Sequence, residues 1–133
     1  MRQISLTVLI FTAGFFSCCS YVRNEQIVGK YHILAVDVYD DACLAYEVKS
    51  DNYVCLVPSK IVAYCKNERY LFLKQIPYPD KNILNVNYYI VPILKDNPAI
   101  YPEGRIVGPL KEQQFNKEIS KMNLRNLKFK QVD

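Results

Sequence analysis

The sequence predicts an α+β domain, in which an antiparallel multi-stranded β-sheet of meander-like order carries one C-terminal α-helix. Short runs of β-branched and aromatic residues alternate with turn residues between positions 30 and 94, which is typical of strands. After Gly108 the period changes: Phe115, Ile119 and Met122 follow at i, i+4 and i+7, one face of a helix. Strands followed by a single helix indicate an α+β domain.

Six strands are predicted before the helix. They are Lys30–Val38, Cys43–Val48, Tyr53–Val57, Lys60–Cys65, Tyr70–Ile76 and Val86–Leu94. Pro58 ends the third strand, because proline has no N–H to donate to a neighbouring strand. A long loop is predicted from 95 to 108, with Pro109 near the helix start and a last short strand at Leu127–Lys130.

The fourth and fifth strands are predicted to form a hairpin at the centre of the sheet. With Asn67 and Glu68 as its two loop residues, Tyr64 faces Leu71, and the opposite face carries Phe72. Both faces are apolar, so the hairpin needs cover on each side.

The first 17 residues have the features of a bacterial lipoprotein signal peptide. A short positive start precedes an uncharged apolar run, Ile4–Phe16, and Ser17 places a small residue before Cys18. The run is shorter than the roughly 20 residues that a membrane span needs. We therefore expect Cys18 to carry the lipid. An ordinary signal peptide cleaved further on is the alternative.

The predicted domain organisation follows from this signal. Residues 18–28 form a lipidated N-terminus and polar tether, and residues 29–133 form a single globular domain. Fatty acids such as palmitate would hold the protein on a membrane of the cell envelope, since two or more acyl chains give stable anchoring.

Charge argues against a nucleic-acid partner. The chain has 17 Lys and Arg against 13 Asp and Glu, a formal net charge of +4, and loss of Arg2 with the signal lowers it by one. This mild excess is spread along the chain, whereas a nucleic-acid binder shows a dense basic stripe.

Three cysteines lie inside the domain: Cys43, Cys55 and Cys65. Their odd number leaves at least one without an intramolecular partner. An exported protein permits a disulfide, but each cysteine sits in an apolar run and free cysteine is among the most buried residue types. The pairing stays open, with buried free thiols favoured.

The chain offers no catalytic constellation, so we expect no enzyme, no cofactor and no metal. His32 is the only histidine and lies within a predicted strand. Asp37, Asp40 and Asp41 could hold a cation, but acidic residues at a strand end usually form a turn. The chain has only four glycines and no glycine-rich phosphate loop.

Tyrosine content indicates a binding protein. The chain has eleven tyrosines and no tryptophan, and tyrosine is enriched at protein interfaces. Tyr78 and Tyr101 lie in proline-containing loops and are the candidate contact residues for an envelope protein. The alternative, a carboxylate-based envelope hydrolase, requires carboxylates and His32 in one cleft. An apolar patch with tyrosine at its rim would favour binding.

Six short motifs follow one another along the domain. They are Tyr31-x-Ile33-x-Ala35-x-Asp37, Leu44-x-Tyr46, Val57-Pro58-x-x-Ile61-x-Ala63, Tyr70-x-x-x-Lys74-Gln75, Tyr88-Tyr89-Ile90-Val91-Pro92, and Gly108-Pro109-Leu110 with Phe115. In this order the chain, from about Gly29 to Phe129, resembles a family of small uncharacterised bacterial lipoproteins, the domain of unknown function number 3997. The resemblance implies a lipoprotein and no activity.

Overall fold

The computed structural model describes residues 21–80, 82–95 and 102–132. These residues form nine strands, one α-helix and two short 3-10 helices, at Tyr39–Asp41 and Pro102–Arg105. The strands and the helix are β1 (Arg23–Val28), β2 (Tyr31–Ala35), β3 (Cys43–Lys49), β4 (Asn52–Val57), β5 (Ile61–Lys66), β6 (Tyr70–Gln75), β7 (Asn87–Pro92), β8 (Val107–Leu110), α1 (Glu112–Lys121) and β9 (Lys130–Gln131).

The predicted fold class is confirmed, but the strands form two sheets rather than one. Sheet 1 has the order β1-β2-β3-β4, and sheet 2 has the order β8-β7-β6-β5-β9. All pairings are antiparallel. The chain changes sheet after Pro58, where the N–H of Ile61 donates to the carbonyl oxygen of Ala42 at 2.8 Å. This corner stacks the two sheets face to face.

The main core lies between the two sheets. Alternate residues of each strand point inward, so Ile33, Leu44 and Val57 of sheet 1 meet Leu71 and Leu73 of sheet 2. All five are 0% exposed. Burial of this apolar surface, which stabilises a fold by about 25 cal/mol per Å², holds the sheets together.

Helix α1 covers the outer face of sheet 2. Phe115 and Ile119 are 4% and 7% exposed and pack with Phe72 and Ile90, so their predicted inward orientation is confirmed. Met122 caps the C-terminus of the helix and is partly buried against the same cluster. Helical spacing alone placed these side chains correctly.

The β5–β6 hairpin is buried on both faces, as predicted, but its predicted pairing was wrong. Tyr64 pairs with Leu73, two residues beyond the predicted partner. Asn67 Oδ1 accepts hydrogen bonds from the N–H groups of Arg69 and Tyr70 at 2.8 and 2.7 Å, so the turn starts one residue later. A partner shift of two residues leaves each side chain on its predicted face.

Strand β8 lies where a loop and the helix start were predicted. Pro109 is within this strand, and β8 is an edge of sheet 2, where proline is tolerated. Gly108 has a φ of +147°, and an added Cβ would lie 2.4 Å from Tyr89 Cδ1. The close approach of β8 to β7 therefore requires glycine here.

Strand β1 occupies the last six residues of the predicted tether. Its residues look polar, but Ile27 enters the main core and Glu25 accepts hydrogen bonds from Tyr64 and Lys130, at 3.1 and 3.3 Å. Burial acts to raise the pKa of Glu25, but these two hydrogen bonds and the charges of Lys130 and Arg23 together lower it. The contacts join the N-terminal strand to sheet 2, which extends the folded part of the chain beyond the predicted boundary.

The preference for free cysteines was wrong for two of the three. Cys43 and Cys55 form a disulfide between β3 and β4, because the two strands pair and bring their Cα atoms to 5.9 Å. Closing so short a loop contributes on the order of 2–3 kcal/mol. Cys65 is free and buried, as expected, and burial raises the pKa of its thiol to about 11.

The helix contact gives a stability prediction. Phe115 stacks on Tyr88 with a centroid distance of 4.5 Å and meets Phe72 edge-to-face at 6.2 Å. Phe115→Ala should lower the free energy of unfolding by about 3–5 kcal/mol, the usual cost of truncating a buried aromatic side chain. Urea unfolding measures it. The control is Lys117→Ala on the exposed face of α1, and an equal loss in both variants would contradict this packing.

Candidate functional site

Four large apolar side chains are exposed at one end of the sandwich, where β2 and β6 end and the chain crosses between sheets. They are Val38, Tyr78, Ile83 and Leu84, which are 57%, 81%, 74% and 87% exposed. We call this group the end patch. Val38 comes from the segment after β2, and the other three come from the connection between β6 and β7.

Several polar side chains of the connection between β6 and β7 form hydrogen bonds within the connection itself. Asp80 accepts hydrogen bonds from the N–H of Asn82 at 2.8 Å and from Asn85 Nδ2 at 2.7 Å. Asn82 Oδ1 accepts a bond from the N–H of Leu84 at 3.0 Å. Such Asx-type bonds fix the shape of a loop, and here they leave Ile83 and Leu84 facing outward.

A cleft of about 440 Å³ lies beside the end patch. Its lining is mainly apolar and includes Val38, Ile76, Tyr78, Pro79 and Ile83. Tyr78 also lines a neighbouring cleft with Gln75, Asn87 and Tyr89. Concave apolar surface with a few polar groups is typical of a ligand or peptide site.

Acidic groups surround the same cleft. Asp40, Asp41 and Asp80 line it together with Lys60, whose Nζ lies 3.1 Å from Asp40 Oδ1. Within the residues that the structure describes, no group of three or more His, Cys, Asp or Glu side chains could hold a metal ion. The cleft therefore combines an apolar lining with an excess of carboxylates.

Of the two tyrosines predicted as contact residues, Tyr78 belongs to the end patch and lines both neighbouring clefts. Tyr101 lies outside the described residues, as does Cys18. The sequence interpretation missed Val38, Ile83 and Leu84. A signal was present, because Ile83-Leu84 are adjacent large apolar residues within a polar, proline-containing loop.

His32 lies on the outer face of sheet 1 and is 7% exposed. Its Nδ1 is 2.7 Å from Asn24 Oδ1, its Nε2 is 3.6 Å from Glu47 Oε2, and its ring meets Tyr53 edge-to-face at 4.9 Å. Burial lowers the pKa of His32 below 6.5, and the Glu47 charge offsets part of this shift. This shift favours the neutral form of the imidazole.

These positions separate the groups that the hydrolase alternative needs together. Among the residues that the structure describes, the carboxylate of Glu47 lies beside His32, and His32 does not line the clefts at the end patch. Asp40, Asp41 and Asp80 lie at those clefts. General acid–base catalysis requires its groups within hydrogen-bond reach of one substrate, and His32 does not share a cleft with these three aspartates.

Residues 28–133 show the family to which the chain belongs. In the described part of the chain, no helix is long and apolar enough to cross a membrane. The fold is an α+β domain with a helix on one of two antiparallel sheets. The chain belongs to the family described as "Protein of unknown function (DUF3997)", whose model matches residues 28–133. No curated protein and no solved structure matches the chain.

The buried histidine predicts a pH dependence. Below pH 6.5 the unfolded chain binds a proton at His32, while the folded protein resists it because the folded-state pKa is lowered. Stability should therefore fall as the pH falls from about 7 to about 5.5, by at most about 1.4 kcal/mol per pH unit. Urea unfolding at these pH values should show a smaller loss in His32→Gln. An identical slope in both proteins would exclude His32 as the source.

Proposed function

We propose that this protein is a lipid-anchored lipoprotein of a bacterial cell envelope that binds another envelope protein through the end patch. One observation supports the binding role most directly. Tyr78, Ile83 and Leu84 project into solvent from a loop in which polar side chains form hydrogen bonds within the loop. Exposed clustered apolar side chains are costly in a monomer and mark interaction sites.

The chemistry of the end patch suits a protein partner. Tyr78 offers a large apolar ring with one polar tip, and tyrosine is among the residue types enriched at the positions that dominate binding energy. Asp40, Asp41 and Asp80 beside the cleft would favour a partner segment that places a basic residue next to an apolar one. Such rim charges contribute mainly to specificity and association rate.

Two features support an exported, anchored protein. Structural disulfides persist in oxidising compartments, and Cys43 is joined to Cys55. The N-terminal sequence has a charged start, an apolar run and Ser17-Cys18, which is typical of a lipoprotein signal. Together they favour translocation followed by lipid attachment at Cys18. A hydrolase lacks comparable support, because the histidine and the aspartates are apart.

Site-specific crosslinking in intact cells tests the binding role. A photoreactive phenylalanine analogue in place of Tyr78 should give one reproducible protein adduct, and the same analogue at Glu68, at the opposite end of the sandwich, should not. Ile83→Ser beside Tyr78 should remove the adduct without changing the melting midpoint, because Ile83 is 74% exposed. The same adducts from positions 78 and 68 would contradict a site at the end patch.

Fatty-acid labelling tests the anchor. We expect Cys18→Ser to abolish labelling and release the protein from membranes, because lipid transfer requires the thiol. Cys19→Ser is the matched control and should be labelled and stay with the membrane fraction. Labelling lost only in Cys19→Ser would assign the lipid to Cys19 instead of Cys18. An unlabelled, soluble wild-type protein would contradict lipid anchoring.

A further inference from the structure

The N-terminal end of the described chain is fixed on the outer face of sheet 1. Tyr21 packs against a small cluster formed by Leu34, Cys43 and Ala45. Its ring meets Tyr53 edge-to-face at 5.5 Å, and its hydroxyl donates to the carbonyl oxygen of Asp51 at 3.3 Å. Tyr21 thus lies across β3 and β4, although the chain continues into β1.

The position of Tyr21 limits the distance between the domain and a lipid attached to Cys18. Only three residue steps separate Cys18 from Tyr21, and a fully extended chain spans at most about 3.6 Å per residue, hence about 11 Å. Residues 23–28 of the predicted tether form β1, so they add nothing to this distance. A membrane that holds a lipid on Cys18 would therefore lie close to the outer face of sheet 1.

We propose that the outer face of sheet 1 rests against the phospholipid surface that holds the anchor. This inference rests on the lipid attachment in the proposed function. It assigns the face bearing Tyr21, Tyr53 and the Cys43–Cys55 disulfide to the membrane side. Tyrosine suits this position because its ring is apolar and its hydroxyl stays hydrated at an interface.

The same geometry places helix α1 on the far side of the molecule. The layers follow in the order sheet 1, core, sheet 2 and α1. Stacked sheets are ~10 Å apart and a helix adds a layer ~10 Å thick, so α1 lies about 20 Å further from the lipid. The end patch, formed by loops at one end of both sheets, then faces sideways along the membrane surface, open to a neighbouring envelope protein.

Quenching by spin-labelled lipid headgroups tests this orientation. The lipidated protein in a Cys19→Ser background is reconstituted into phosphatidylcholine vesicles that contain headgroup-labelled lipid. A fluorophore is attached at Lys49→Cys near the Tyr21 contact or at Lys117→Cys on α1. Both lysines are exposed, so the two variants are matched in charge and accessibility. We expect fluorescence loss at position 49 and none at 117, because contact quenching does not reach ~20 Å.

Further variants separate the orientation from the anchor. Equal loss of fluorescence at both positions, or a greater loss at position 117, overturns the proposed orientation but does not contradict lipid attachment. Tyr21→Ser should equalise the two positions by freeing the chain, and Tyr21→Phe should preserve the difference by keeping the ring contact with Tyr53. Mass spectrometry of the N-terminal peptide reports the lipid itself. A wild-type protein without lipid at Cys18 overturns both the anchor and the orientation.

Discussion

Burial of sheet 2 on both faces is the constraint on which the remaining structure depends. One face of β6 places Leu71 and Leu73 against sheet 1, and the other places Phe72 against α1. All three side chains are 0% exposed. A sheet that is apolar on both sides cannot leave either face in water. The two covering layers, sheet 1 and the helix, are therefore both required by the sequence of one hairpin.

The corner between the sheets provides the support for the end patch. Gln75 is 2% exposed, and its Nε2 donates to the carbonyl oxygen of Pro58 at 2.8 Å, while its Oε1 accepts a bond from Asn87 Nδ2 at 3.3 Å. A buried amide must be hydrogen-bonded, since an unpaired one costs stability. Gln75 meets this requirement by bonding β6 to the corner and to β7. It lines the same cleft as Tyr78, so these bonds hold the base of that cleft in place.

The sequence determined the local elements well where a repeating pattern was present. Alternating β-branched and aromatic residues marked the positions of β2 to β7, and the i, i+4 spacing of Phe115 and Ile119 marked the buried side of α1. Strand β1 was missed because most of its residues are polar and show no apolar alternation. Its strand form comes from pairing with β2, and the Glu25 side chain bonds to Tyr64, 39 residues away. The division into two sheets likewise depends on contacts across the corner at Pro58.

For the candidate site, the sequence predicted Tyr78 as a contact residue from its proline-containing loop, and it predicted Cys18 as the lipid-bearing residue from the signal pattern. Only the tertiary structure brought Val38 beside Tyr78 and Ile83, joined Cys43 to Cys55, and laid Tyr21 over sheet 1. The physical reason is the range of the interactions. Propensity, periodicity and turn chemistry act between near neighbours in the chain, whereas an exposed patch, a disulfide and a surface orientation depend on which distant residues the packed core brings together.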